Sequence, residues 1–366
     1  MVYQIPAPKR HSEVSTALSA LLLACAMLPT GTAQLLGQEG ATERAGVSYH
    51  TDLHHARPYM VGQSYFMATH SFNVFVGPDR RTGAPGPLDL LAQEALLGER
   101  HRSAGIQMIG GSTPMQHWNQ GDGNDTENVA KVALRNGGID VMTISPNAVI
   151  PEEGIDLFAE LLMETNPTAR LLVQHSWSPW DGNGSTPSVG GTGDADFDLE
   201  DHDRADMETI QGWIDEAHAP GGYLERLRRQ LGSINQSSGH DMAFVVPVAD
   251  AVYRLRLEVL KGNVPGIQRQ SELFVDGMGH PAQPIMNLAT YVWFTVMYRQ
   301  PPWGLTALMD PRDPTSAARE EFLQEIAWGI ATAEPMAGLW MELLWPKERL
   351  PRGNHGDHDG HVDVGM

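Results

Sequence analysis

From about Arg57 onward, short uninterrupted apolar runs alternate with longer stretches whose apolar residues recur at helical spacing. Tyr65-Phe66-Met67-Ala68 predicts a buried strand, and residues 88–100 predict a helix. A second strand is expected over 106–109, ending in Gly110-Gly111, and a helix over 126–135. Residues 139–144 form the third predicted strand, with a helix over 152–165 introduced by Pro151. Strands four and five are expected at 170–174 and 242–248, with a helix over about 207–232 between them. Apolar runs of strand length interleaved with amphipathic helices predict a mostly parallel five-stranded sheet covered on both faces, an α/β fold. Functional groups in such sheets gather at the carboxyl ends of the strands, so the residues just after each strand are the candidates.

Two stretches depart from this alternation. Residues 181–206 are rich in Gly, Ser and Asp and predict a long insertion loop. Residues 352–366, rich in Gly, His and Asp, predict a disordered tail. The N-terminus has the pattern of an export signal over residues 1–33: basic Lys9 and Arg10, an apolar stretch at 17–28, then the small residues Gly31-Thr32-Ala33. That apolar stretch, about a dozen residues, falls short of the roughly 20 needed to cross a bilayer. The expected location is therefore secreted or periplasmic, with no membrane span. Cys25 follows Leu22-Leu23-Ala24 as in a lipoprotein signal, but the apolar run continues past it, so removal with the leader is the expected fate.

Composition narrows the classes without naming a substrate. Of the 366 residues, 41% are hydrophobic and 19% charged, as in ordinary globular proteins. The formal net charge of −20 argues against nucleic acid or an anionic membrane as partner, since both would repel the chain. With a single cysteine, an intramolecular disulfide and a cysteine-based metal site are both excluded.

The chemistry-bearing residues lie at the predicted strand ends. Thr69-His70-Ser71-Phe72 follows the first strand, placing a hydroxyl over the sheet edge, where the N–H of the same serine can stabilise an oxyanion. Gly110 and Gly111 follow the second strand and allow backbone N–H groups to approach a ligand. Asn147, in Ser145-Pro146-Asn147, puts an amide at the same edge after the third. Far along the chain, Asp276-Gly277-Met278-Gly279-His280 offers an imidazole as base and a carboxylate to orient it. Each feature alone also reads blandly, as a helix cap, a turn or a surface Asp beside a capping His. Four of them, in this order at strand ends, carry more weight.

In that order, Ser71, Gly110-Gly111, Asn147 and Asp276/His280 resemble the four blocks of the SGNH (GDSL-type) hydrolases. The resemblance covers roughly residues 57–305, within a hydrolase-like domain expected over 57–345, and extends to the stretch 291–305 after the histidine. It implies a three-layer α/β/α flavodoxin-like domain and serine-esterase chemistry without a cofactor. Ser71 would be nucleophile, His280 general base and Asp276 its orienting acid, with Ser71 N–H, Gly110, Gly111 and Asn147 forming the oxyanion hole. Exported members of the family make O-acyl groups, such as O-acetyl esters of carbohydrate, the expected substrate. A catalytically degenerate glycan-binding domain and an acyltransferase on the same fold are the alternatives. The chain departs from the family pattern in three places: Thr69 stands where Gly is usual, three residues rather than two separate Asp276 from His280, and the third block reads Ser-Pro-Asn. Ser64, preceded two residues earlier by Gly62, is the rival nucleophile.

His117, Trp118 and Trp177 lie close to strand ends and are candidates for lining a substrate pocket, with core packing the competing reading. Asp194, Asp196, Asp198 and Glu200 alternate as calcium ligands do but lack the EF-hand glycine, which favours a solvated acidic loop. His355, Asp357, His358 and His361 belong to the predicted tail, and no metal site is expected.

Overall fold

The computed structural model of the chain describes residues 58–121, 127–147, 149–182 and 197–339. The predicted leader (1–33), the tail (352–366) and much of the 181–206 stretch lie outside them. The first apolar run forms β1 (Ser64–Thr69), all of it buried. With β2 (Arg102–Met108), β3 (Val141–Ile144), β4 (Arg170–Gln174) and β5 (Ala243–Val246) it builds a five-stranded sheet in the order β2-β1-β3-β4-β5. Every pairing is parallel. Parallel neighbours cannot be joined by hairpins, so helices carry the chain back across the sheet.

The crossovers hold α1 (Pro87–Glu94), α2 (Pro114–Trp118), α3 (Val129–Asn136), α4 (Glu153–Thr165), α5 (Met207–His218) and α6 (Tyr223–Ser238), while α7 (Val248–Leu260), α8 (Gln283–Tyr298) and α9 (Ser316–Ala333) follow β5. Strand side chains alternate between two cores. Tyr65, Met67, Leu172, Phe244 and Val246 pack with α1, α7 and α8. Phe66, Ala68, Met142, Leu171, Val173 and Val245 pack with α3, α4 and α6. The result is the expected α/β/α sandwich, in which each fully buried large apolar side chain contributes roughly 1.5–3 kcal/mol. In α8, 13 of 16 residues are buried, because α9 packs over the side that would otherwise meet water.

Several boundaries differ from expectation. The helix expected over 88–100 stops at Glu94, where Leu96 enters the left-handed region (φ 61°) and is 91% exposed. The single helix expected over 207–232 is two, α5 and α6, separated at Pro220-Gly221-Gly222. Proline holds Ala219 extended before it, and a Cβ on Gly222 would lie 2.0 Å from the Glu216 carbonyl oxygen. The fifth strand ends at Val246, so Val248, expected to be strand, opens α7 after Pro247.

Candidate active site

Strand order reverses direction between β1 and β3, and the carboxyl end of β1 therefore opens onto the crevice where open parallel sheets bind ligands. Ser71 stands in the turn that leaves β1. Asn73 N and Val74 N both donate to the His70 carbonyl, at 3.2 and 3.0 Å, closing the turn. Its position is fixed from the ends of β3 and β4. Asn73 Nδ2 donates to Ser145 Oγ beyond β3 (2.8 Å), and Gln174 Nε2, at the end of β4, donates to the Phe72 carbonyl (3.2 Å). Gln174 is in turn held by Trp293 Nε1, which donates to its Oε1 (2.7 Å).

The structure brings Ser71, His280 and Asp276 together. His280 Nε2 lies 3.0 Å from Ser71 Oγ, and His280 Nδ1 lies 2.7 Å from Asp276 Oδ2. The other carboxylate oxygen, Asp276 Oδ1, accepts from Gly279 N and His280 N, each at 3.1 Å. Partial burial opposes ionisation of Asp276, but the hydrogen bonds from the His280 ring and from these N–H groups outweigh it and hold the carboxyl below its ordinary range. The longer Asp-to-His spacing is accommodated because Gly279 takes φ 90°, and Val275 N donates to the His280 carbonyl (2.9 Å), closing the loop at its base. Phe72 stacks on Trp177, with centroids 4.7 Å apart, and meets the His280 ring edge-on at 5.4 Å, so packing also restrains the imidazole.

The expected oxyanion donors surround the same turn. Ile109 N donates to the Thr69 carbonyl and Ser145 N to the Ala68 carbonyl, which sets the second and third blocks beside the first. Among the described residues, the N–H groups of Ser71, Gly110 and Gly111 donate to no protein acceptor. Gly111 adopts φ 60°, a conformation that favours glycine. Asn147 Nδ2 donates to the Gly111 carbonyl (2.9 Å), so this side chain braces the glycine turn.

The three pocket-lining candidates hold other positions. His117 is fully buried under the glycine turn, with Nε2 2.7 Å from Ser112 Oγ; burial and the nearby His70 lower its pKa to about 4. Trp118 packs edge-on against Phe158 on the α4 face, beneath the Lys131 ammonium. Trp177 is buried and donates through Nε1 to the Gly279 carbonyl (3.0 Å), supporting the loop that carries His280. Ser64 begins β1, at the opposite end of the strand from Ser71. His70 and Gln174 carry no signal in the sequence beyond their places at strand ends. His70 Nδ1 accepts from Phe72 N (3.2 Å), and burial above all lowers the pKa of its ring to about 4, so at neutral pH it serves the turn as a neutral ring. Gln174 was visible only as the residue ending an apolar run.

Among the described residues, no group of three or more His, Cys, Asp or Glu is placed to hold a metal ion, and no helix is long and apolar enough to cross a membrane. Asp194 and Asp196 lie outside those residues. No protein-family model and no curated protein matches the chain. Solved structures similar to it include a DUF4886 family protein from Bacteroides uniformis ATCC 8492, at 10% identity and TM-score 0.43, covering 73% of this chain and 94% of that one. A GDSL-like lipase candidate from Parabacteroides merdae ATCC 43184 is similar at 12% identity and TM-score 0.34, with 68% and 99% covered. Phospholipase A1 from Streptomyces albidoflavus NA297 is similar at 11% identity and TM-score 0.34, with 65% and 100% covered. Likenesses this distant carry no argument about activity, which rests on the site itself.

Proposed function

We propose that this protein is a serine ester hydrolase working through an acyl-enzyme. The observation that carries the reading is the chain of contacts Asp276 Oδ2–His280 Nδ1 and His280 Nε2–Ser71 Oγ, at 2.7 and 3.0 Å, at the switch point of the sheet. The Ser71 Oγ–H proton passes to His280 Nε2 as Oγ bonds to the ester carbonyl carbon. Asp276, ionised beside the ring, stabilises the imidazolium that forms. The oxyanion is received by the N–H groups of Ser71, Gly110 and Gly111, with Asn147 holding the glycine turn. Collapse breaks the carbon–oxygen bond to the alcohol, which leaves with the proton from His280. Water, deprotonated by the same imidazole, then releases the acid and restores Ser71.

The base lies within the reach that proton transfer requires, which supports turnover over a degenerate binding domain. Export and a preference for O-acetyl groups on carbohydrate belong to this proposal through the N-terminal pattern and the family resemblance. The test is labelling of the purified protein with a fluorophosphonate probe, followed by peptide mapping. The expected result is one label per chain on Ser71, absent in His280→Ala. A folded protein that takes no label, or takes it elsewhere, overturns the assignment.

A further inference from the structure

Behind the Asp276–His280 pair lies a second, fully enclosed set of charges. Arg256 of α7 makes a two-pronged contact with Asp181, Nη1–Oδ1 at 2.6 Å and Nη2–Oδ2 at 2.8 Å. Asp181 Oδ1 also lies 3.1 Å from His202 Nδ1, and His202 Nε2 lies 3.1 Å from the backbone carbonyl oxygen of Asp276. All three side chains are buried, and the His202 ring stacks on Phe274 at 4.1 Å. Burial opposes the charge on Asp181, but His202 and Arg256 hold its carboxyl below the ordinary range.

Neighbouring residues grip the same loop at successive points. Trp180 N donates to the Met278 carbonyl (3.1 Å) and Trp177 Nε1 to the Gly279 carbonyl (3.0 Å). Ser271, just upstream, donates to Asp203 through both N and Oγ at 2.8 Å. A Cβ on Gly277 would lie 1.9 Å from the Phe197 carbonyl oxygen, so the two backbones are in direct contact. A buried ion pair adds little net stability, because desolvation consumes most of the attraction. Its placement against the backbone of Asp276 suggests a different role.

We infer that Arg256, Asp181 and His202 form a positioning device: His202, oriented by Asp181 and Arg256, anchors the Asp276 carbonyl and thereby aims its carboxylate at His280. Residues at the two ends of the 181–206 insertion, with Arg256 of α7, thus stabilise the longer Asp-x-x-x-His loop. This rests on the serine-hydrolase reading. All three are buried, so their role is to act through Asp276.

The test compares wild type with His202→Phe, which keeps a ring against Phe274 but removes both nitrogens, and with Gly277→Ala, which pushes the loop off Phe197 and leaves the buried charges in place. Turnover of p-nitrophenyl acetate, the rate of fluorophosphonate labelling and thermal unfolding are followed. Misplacing a catalytic group by about 1 Å costs on the order of a hundredfold, so kcat and labelling rate are expected to fall about tenfold to a hundredfold in both variants, with KM nearly unchanged. His202→Gln, which retains an amide donor, is expected to recover part of the loss. If His202→Phe does not fold, Asp181→Asn, which loosens the grip on the His202 ring, decides by the same readouts. Both quantities staying within about twofold of wild type in the folded variants overturns the positioning role while leaving the hydrolase reading intact. A wild-type protein that neither labels nor turns over overturns the hydrolase reading and this inference with it.

Discussion

An acid, an imidazole and a hydroxyl meet at each end of β1, and the proposed chemistry uses only one of these sets. At the carboxyl end, Asp276, His280 and Ser71 are in line, with the first two side chains 46% and 29% exposed. At the other end, His101 Nε2 lies 2.8 Å from Asp89 Oδ1 while its Nδ1 contacts the Tyr298 hydroxyl. Asp89 also accepts from Tyr65 Oη (2.9 Å) and Gly86 N (2.8 Å). A surface hollow of about 460 Å³ borders Asp89 and His101, yet these side chains are only 12% and 1% exposed, so burial separates the two sets. The hydroxyl and its surroundings separate them further. Tyr298 is a phenol whose ionisation burial strongly opposes, and its oxygen already accepts from Gln63 N. Ser71 is an aliphatic hydroxyl in a turn beside uncommitted N–H groups. Aligned acid, imidazole and hydroxyl make a structural strut when the hydroxyl is locked, and a nucleophile when it is open and an oxyanion can be received.

The sharpest way to break this comparison is Ser71→Ala, expected to cut kcat by about 10³-fold or more with the unfolding midpoint unchanged, as measured by ester turnover and thermal unfolding. Asp276→Asn is expected to cost about 10³-fold in kcat at constant KM, because the amide favours the wrong tautomer of His280. At the other end, Asp89→Ala should do the reverse: denaturant unfolding should show a loss of about 3 kcal/mol, because His101 and Tyr65 lose a buried partner, while kcat of the folded fraction stays near wild type. A large drop in kcat there would show that the two sets are coupled.

Acid should sharpen the contrast further. His70, His117 and His175 have pKa values lowered from 6.5 to about 4, chiefly by burial, so they are neutral when folded. Between those values the unfolded chain binds more protons, and stability must therefore fall as pH drops from 6.5 toward 4. The depressed carboxyls Asp89, Asp181 and Asp276 lose their own contributions at still lower pH. Unfolding midpoints measured across this range should decline with acid, and a flat profile would contradict the burial of these rings. The smallest effect is expected for Ser64→Ala, with kcat within about twofold of wild type, since Ser64 sits at the strut end of β1.

Much of the fold was legible because its signals are local. The apolar run at 65–68 reads as a strand whatever surrounds it, and glycines after a strand announce a turn. Helix ends were less legible: Leu96 has no intrinsic preference for φ 61°, and the α5–α6 break lay in a Pro220-Gly221-Gly222 signal that the longer apolar pattern masked. Ser71, Asp276 and His280 stood out by residue type and by following predicted strands or loops. His117 and Trp118 had the same kind of signal, yet packing places one beneath the glycine turn and the other on the α4 face.

By itself, the sequence determined the alternation of strands and helices, the order of the chemistry-bearing blocks and the turns that glycine permits, because these depend on backbone conformation over a few residues. Tertiary structure alone decided that Ser71 and His280 meet at 3.0 Å, that Gln174 supports the Ser71 turn, and that Arg256, Asp181 and His202 converge behind Asp276. Those contacts join side chains far apart in the chain, and their partners are selected by how the helices pack on the two faces of the sheet, which no local pattern encodes.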